Sequence, residues 1–309
     1  MHLGAGSSVG AIDNPIQRER HTRIPLVPGS SLKGVLGSLW PASAKLKDDG
    51  TNQTNKDGGL VPERSDPDAC WLFGQESDSA AAAGALCVGE ARVIAFPVRS
   101  ARHCFAWITC PLVLKRLKSD TDFDLPDVDL GESKQACMAA KNLQSAAGTI
   151  ILESYCFTNE SDEEKKSDLR KIVDCFENLV SKQDKAWQSL PERLCIVHDE
   201  FFSHFVEQAC DVVTRIRIND FTGTVTGGAL FNQEQVPPET LLFGTVHARD
   251  ELNPAKPLNQ RKKATDAIAT LLEKLKSEDH LIQVGGDETT GLGLCRIHFP
   301  VNLENGVSE

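Results

Sequence analysis

Residues 2–39, reading HLGAGSSVGAIDNPIQRERHTRIPLVPGSSLKGVLGSL, constrain this chain more than any other stretch. Gly4, Gly6 and Gly10 free the backbone for tight turns and positive φ, which lets a polyanion or another backbone approach closely. Asp13 then stands alone among small and apolar residues, and Arg18, Arg20, His21 and Arg23 follow, a cluster able to surround a phosphodiester with positive charge. After Pro28 and Gly29 the spacing of Leu32, Val35, Leu36 and Leu39 predicts a helix with Ser30 or Ser31 as N-cap. Lys33 and Gly34 fall in its first turn, so free N–H groups and a lysine face one place, an anion site. On the glycines alone, an ordinary loop leading into an amphipathic helix is the favoured reading, because short motifs are weakly specific.

At 309 residues the chain has material for one large core or two modest ones. Its net charge of −11 argues against a simple cationic nucleic-acid binder. Much of the acid lies in residues 48–68, 120–132 and 160–168, stretches that read as loops or exposed helix, so the expectation is an acidic exterior around a basic groove. Ten cysteines occur without a CxxC pair or regular Cys/His spacing, which speaks against zinc and for reduced, mostly packed thiols of an intracellular protein. A charged-then-apolar leader and an apolar run of about 18 residues are both missing, so the cytoplasm is the expected compartment.

Along the chain, residues 42–69 form a polar, glycine-rich exposed insert. Strands are expected over 86–96 and 104–110, followed by a helix opening at Pro111, an acidic loop at 119–132 and a helix over about 133–146. Residues 149–157 read as a strand, and Leu169, Ile172, Val173, Phe176 and Leu179 mark an amphipathic helix in a helical insert at 159–190. Two β-type runs flank the turn residues 219–224, predicting a β-hairpin that carries Arg215 and Arg217, within a region spanning 211–240. A helix over 256–276 has Arg261, Lys262 and Lys263 near its start, an unfavourable place against the dipole that a polyanion would rationalise.

Strand 280–284 leads into GGDETTGLG, residues 285–293, and a strand follows over 294–299. That loop lacks the Phe of a diguanylate cyclase signature and the Lys of a phosphate-binding GxxxxGK loop. It reads as an anion nest or as a plain β-turn.

Taken together, His2, the glycines, Asp13, PIQRERHT at 15–22, PGSSLKG at 28–34, FPVRS at 96–100, the hairpin, PPETLLF at 237–243 and the C-terminal glycine loop resemble the RAMP superfamily, in particular the backbone subunits of type III-B CRISPR complexes. The resemblance implies a single α+β domain over 1–309, ferredoxin-like or RRM-type, with an antiparallel sheet, helices on one face, several inserts and a protruding hairpin thumb. In the family the thumb reaches over the guide RNA of the neighbouring subunit and wedges apart the guide–target duplex. Implied partners are crRNA, target RNA, copies of the chain in a helical filament and other subunits of the complex, with no membrane. The implied RNA contacts are Arg18, Arg20, His21, Ser30, Ser31, Lys33, Arg99, Arg215, Arg217, Gly285, Gly286, Thr289, Thr290, Gly291 and Gly293.

The family's cleavage aspartate falls at Asp13, with dependence on a divalent metal, Mg²⁺ or Mn²⁺, and no organic cofactor. RNA is cut when its own 2′-hydroxyl attacks the adjacent phosphate, so the protein supplies geometry, charge and proton transfer. Asp13 then acts as base or, more easily, as a metal ligand. His2 is a proton donor or an RNA contact, and Glu234 assists from near the thumb, although the family's aromatic beside it is absent. A non-cleaving RNA-binding backbone subunit is the alternative. The family also has a central strand ahead of the His2 position, so the sequence is expected to lack an N-terminal segment or to have that strand supplied by another chain.

Overall fold

A long, mostly apolar strand, Ala91–Arg99, is the spine of the molecule. The structure, a computed structural model, describes residues 1–6, 11–45, 47, 51–57, 59, 62–75, 82–160, 162–180, 184–219, 221–254 and 256–300. Gly10, part of the 42–69 insert and Asp220 in the hairpin turn therefore lie outside the described residues. Val93, Ala95 and Phe96 are fully enclosed, as a continuous apolar run requires.

The first half of this strand pairs with Leu26–Val27 and Leu241–Phe243, and its second half with Phe105–Thr109. Beyond Phe105–Thr109 the sheet continues through Leu194–Ile196, Ala136–Ala139, Tyr155–Asn159 and Thr149–Leu152. Neighbours are antiparallel except for Leu194–Ile196 on Phe105–Thr109 and Tyr155–Asn159 on Ala136–Ala139, which are parallel.

The structure departs from the sequence pattern at definable places. Residues 133–146, expected as a helix, contain the strand Ala136–Ala139, all four residues buried; pairing on both edges overrides the helix preference of alanine. The expected strand over 86–96 is two strands, Leu86–Val88 and Ala91–Arg99, broken where the Gly89 N–H donates to the Thr245 carbonyl. The last helix starts at Ala264, later than expected, and its leading cations are answered within the protein: Lys262 reaches Asp68 and Lys263 reaches Asp250. No polyanion is needed to explain them. Three of the ten cysteines, Cys87, Cys104 and Cys156, are exposed, and all ten are free thiols.

The first helix, Gly29–Ser38, carries the expected apolar face but is preceded by Pro28 as N-cap, without a side-chain cap. Neither Ser30 nor Ser31 caps it; both sit in its first turn. Gly29 allows this entry, because a Cβ there would stand 2.4 Å from the Val88 carbonyl oxygen. This helix, Pro67–Phe73 and Ala264–Ser277 close a second apolar cluster around Leu36, Leu72, Leu271 and Ile282, distinct from the core on the large sheet. Leu281–Gln283 and Leu294–Arg296 pair as a two-stranded sheet of their own.

The expected hairpin is present as Asp211–Ile218 and Val225–Gln235. Its register places Ile216 opposite Leu230, Ile218 opposite Val225, and Arg215 opposite Phe231. Alternation then gives two different faces: aliphatic side chains line one, and Arg215 with Arg217 the other. Phe221 at the tip is 99% exposed. Among the described residues no helix is long and apolar enough to cross a membrane.

Candidate functional site

The root of the hairpin is where the opening stretch of the sequence arrives. Met1 exchanges backbone hydrogen bonds with Val236, the Gly286 N–H donates to the His2 carbonyl at 3.0 Å, and the Gln17 N–H donates to the Leu3 carbonyl at 2.8 Å. The opening residues are thus tied to the hairpin, to the C-terminal glycine loop and to residues 15–17 at once. Gly285 is indispensable to this contact: its φ is +87°, and a Cβ would lie 2.0 Å from the His2 carbonyl oxygen. Gly285→Ala is expected to cost about 1–3 kcal/mol, read as a lower midpoint in thermal unfolding.

Asp13 is exposed, and its Oδ2 accepts the backbone N–H of Asn232 at 2.8 Å. Asn14 continues the attachment, donating to the Asn232 carbonyl and accepting from the Glu234 N–H. His2 Nδ1 lies 2.7 Å from the Glu234 carbonyl oxygen. A carbonyl only accepts, so Nδ1 carries a proton and donates it, while Nε2 has no hydrogen-bond partner among the described residues. Residues two apart on a strand turn their backbone groups to the same edge, so Asn232 and Glu234 hold Asp13 and His2 on one edge, with the two backbone bonds of Asn14 between them.

Two expected site residues are corrected here. Glu234 and Arg18 form a buried ion pair at 2.5 Å, with side chains 5% and 4% exposed. Glu234 Oε2 also accepts the Ile16 N–H, while Arg18 donates to the Arg23 and Val206 carbonyls and to Cys210 Sγ. Both terminal nitrogens of Arg18 and both carboxylate oxygens of Glu234 are engaged inside the protein, so the pair clamps the 13–24 loop to the hairpin. Arg99 is set apart from this corner. It lies at the far end of its strand, eight residues or about 26 Å from Ala91, 84% exposed and paired with Glu153.

The remaining expected contacts divide by availability. Arg20 and Arg217 are exposed without a protein partner among the described residues. His21 is 72% exposed, 3.2 Å from Arg116. Ser30, Ser31 and Lys33 make no side-chain hydrogen bond or ion pair among the described residues, and Leu32 between them shares an apolar cluster with Leu3 and Val284. The helix start, the opening stretch and the glycine loop thereby meet around one small core.

In the loop, Gly286 is committed to His2, Thr290 Oγ1 donates to the Asp287 carbonyl, and Thr289 is exposed. Gly291 and Gly293 take φ of +81° and +80°, and a Cβ on Gly293 would stand 2.2 Å from the Val284 carbonyl oxygen. Arg215 approaches Asp287 at 4.0 Å.

Asn232, Gln233 and Asp287 were not singled out by sequence reasoning. The available signal was the run Asn232-Gln233-Glu234-Gln235, four polar side chains closing a β-type stretch, of which the last three are buried. Among the described residues no group of three His, Cys, Asp or Glu side chains is placed to hold a metal ion. A hydrated Mg²⁺ or Mn²⁺ would have Asp13 as its protein ligand and would draw its other ligands from water and phosphate.

A mixed sheet, a protruding hairpin rooted beside an exposed aspartate, and a glycine loop closing the same corner define a RAMP-type palm and thumb. A family model described as the RAMP superfamily matches residues 1–296, and the chain belongs to that superfamily. More particularly, it is 31% identical over 312 residues to the CRISPR system Cmr endoribonuclease Cmr4 of Pyrococcus furiosus, spanning 99% of this chain and 94% of the relative, and is a homologue of it. A shorter match, 33% identical over 94 residues, covers 29% of this chain and 40% of the CRISPR system Cms endoribonuclease Csm3 of Enterococcus italicus. The crystal structure of oligomeric Cmr4 from Pyrococcus furiosus superposes with a TM-score of 0.61 at 25% identity, covering 95% of this chain and 93% of the other. A chain of the type III-B Cmr-beta complex bound to cognate target RNA shares the fold, with a TM-score of 0.61 at 19% identity, covering 95% and 90%.

Proposed function

We propose that this chain is a guide-RNA-binding backbone subunit of a type III-B CRISPR effector complex, and that the assembled complex cuts complementary target RNA at regular intervals. The observation that carries the reading is the placement of Asp13 and His2 along one strand edge, each with one side tied to the hairpin backbone and the other without a partner among the described residues. In this reading the guide runs through the corner formed by Ser30, Ser31, Lys33 and the glycine loop. Copies of the chain repeat along the guide, other Cmr subunits close the assembly, and the cytoplasm is its compartment. The exposed tip at Phe221 suits a wedge between base pairs, which unstacks the target next to the cut.

Cleavage then needs no protein nucleophile. The 2′-hydroxyl of the target attacks its own phosphodiester once the strand is held in line with the departing 5′-oxygen. The His2 Nε2 lone pair takes up and returns a proton at this step, its ring fixed through Nδ1. Asp13 supplies the carboxylate. A divalent ion bound there would stabilise the charge gathering on the phosphate.

The test is a reconstituted complex given complementary RNA and Mg²⁺. A ladder of evenly spaced products is expected, and intact target overturns the cleaving reading in favour of a non-cleaving backbone subunit. Lys33→Ala is expected to weaken guide binding and to lower the slope of log affinity against log salt by about one. An unchanged slope removes Lys33 from the phosphate contacts.

A further inference from the structure

Gln233 lies between the two strand residues that hold Asp13 and His2, and it is only 3% exposed. Its side chain is half used: Nε2 donates to Asp287 Oδ2, while Oε1 is buried with no partner among the described residues. Arg215 Nη2 stands 4.0 Å from the same Asp287 oxygen, and Arg215 Nε is likewise buried without a partner among the described residues. The hairpin register pairs Val213 with Gln233, so Arg215, two residues on, shares their face. One corner thus holds a guanidinium and an amide that are incompletely satisfied, and buried groups in that state call for an explanation.

Asp287 itself adopts a left-handed φ of 65°, which asparagine tolerates as well as aspartate does. The turn therefore does not require the negative charge. What the charge does is sit against a cation on the face of the hairpin turned to the glycine loop.

We propose that the Asp287 carboxylate is an internal stand-in for an RNA phosphate. In the free protein it holds Arg215 and Gln233 against the glycine loop; when RNA enters, a phosphodiester displaces it and takes the guanidinium in a closer, two-pronged contact than the 4.0 Å pair provides. This inference rests on the RNA-binding reading above. Asp287 then opposes binding, and removing its charge strengthens the complex instead of weakening it.

Asp287→Asn keeps the turn and an acceptor for Gln233 while deleting the charge, and Asp287→Gly, equally at ease with positive φ, serves as a second variant. The probe is a labelled, unstructured single-stranded RNA titrated with the full chain and followed by fluorescence anisotropy. Both variants are expected to bind about fivefold more tightly than the parent chain at low salt, with the gap narrowing as salt rises. Arg215→Ala is expected to weaken binding and to erase the gain when combined with Asp287→Asn. Equal or weaker binding by the Asp287 variants, or a gain that survives the loss of Arg215, overturns the inference and leaves the proposed function standing. No RNA binding by any of these chains overturns both.

Discussion

Replacing Asp13 with asparagine is expected to abolish target cleavage in the assembled complex while leaving guide-RNA affinity unchanged. The asparagine carbonyl oxygen still accepts the Asn232 N–H that the carboxylate accepts at 2.8 Å, so the loop keeps its attachment to the hairpin. What disappears is the negative charge, and with it both a base and a ligand for a hard cation. Losing a positioned proton-transfer group typically costs 10²–10⁴-fold in rate, so a reduction of about a thousandfold is the expectation. Asp13→Ala should cut no better and should also loosen the loop. Single-turnover cleavage of a labelled target, run beside a guide-binding titration, reads both quantities. An asparagine variant that cleaves within tenfold of the parent would remove Asp13 from the chemistry.

The second large effect is on stability. Arg18→Ala strands the Glu234 carboxylate in the interior at 5% exposure, without its countercharge. Breaking a buried pair from one side costs about 3–5 kcal/mol, to which lost hydrogen bonds to Arg23, Val206 and Cys210 contribute. Urea unfolding should show this as a large fall in the midpoint. Arg18→Met combined with Glu234→Leu is expected to recover part of the loss, because no charge is then left uncompensated. A cost below about 1 kcal/mol for the single change would mean that water reaches the pair and that the clamp is weak. Cleavage should fall alongside stability in Arg18→Ala, since the clamp fixes the strand that carries both anchors.

These two residues show how far the sequence can be read. Asp13 stood alone among small and apolar residues, and only the family resemblance gave it a role in cleavage. Arg18 looked like its equal, one cation in a basic cluster, and nothing local distinguishes it from exposed Arg20. The difference is made by Val206, Cys210 and Glu234, far along the chain, and side-chain burial set by distant segments is not written in local pattern. The same holds for the strand Ala136–Ala139, whose residues favour a helix until two neighbouring strands claim them. Periodic elements with a polar side were legible, including the helix Glu163–Leu179 and the hairpin. The position of Arg99 was not legible: a motif contiguous in sequence runs along a strand and ends a strand's length away from where it began.

The hairpin stands outside both apolar cores and is fastened at its root, where Gln233, Glu234 and Gln235 are buried and Asn232 and Glu234 carry Asp13 and His2. The paired arm, from Thr214 opposite Asn232 to Ile218 opposite Val225, is about 13 Å long. It behaves as a lever with a short load arm: force applied at Phe221 is delivered as torque to the two backbone positions that aim the aspartate and the histidine. Whatever leans on the tip therefore also bears on how Asp13 and His2 are held, so under the proposed function mechanical engagement and chemical competence reach the site through the same few peptide units.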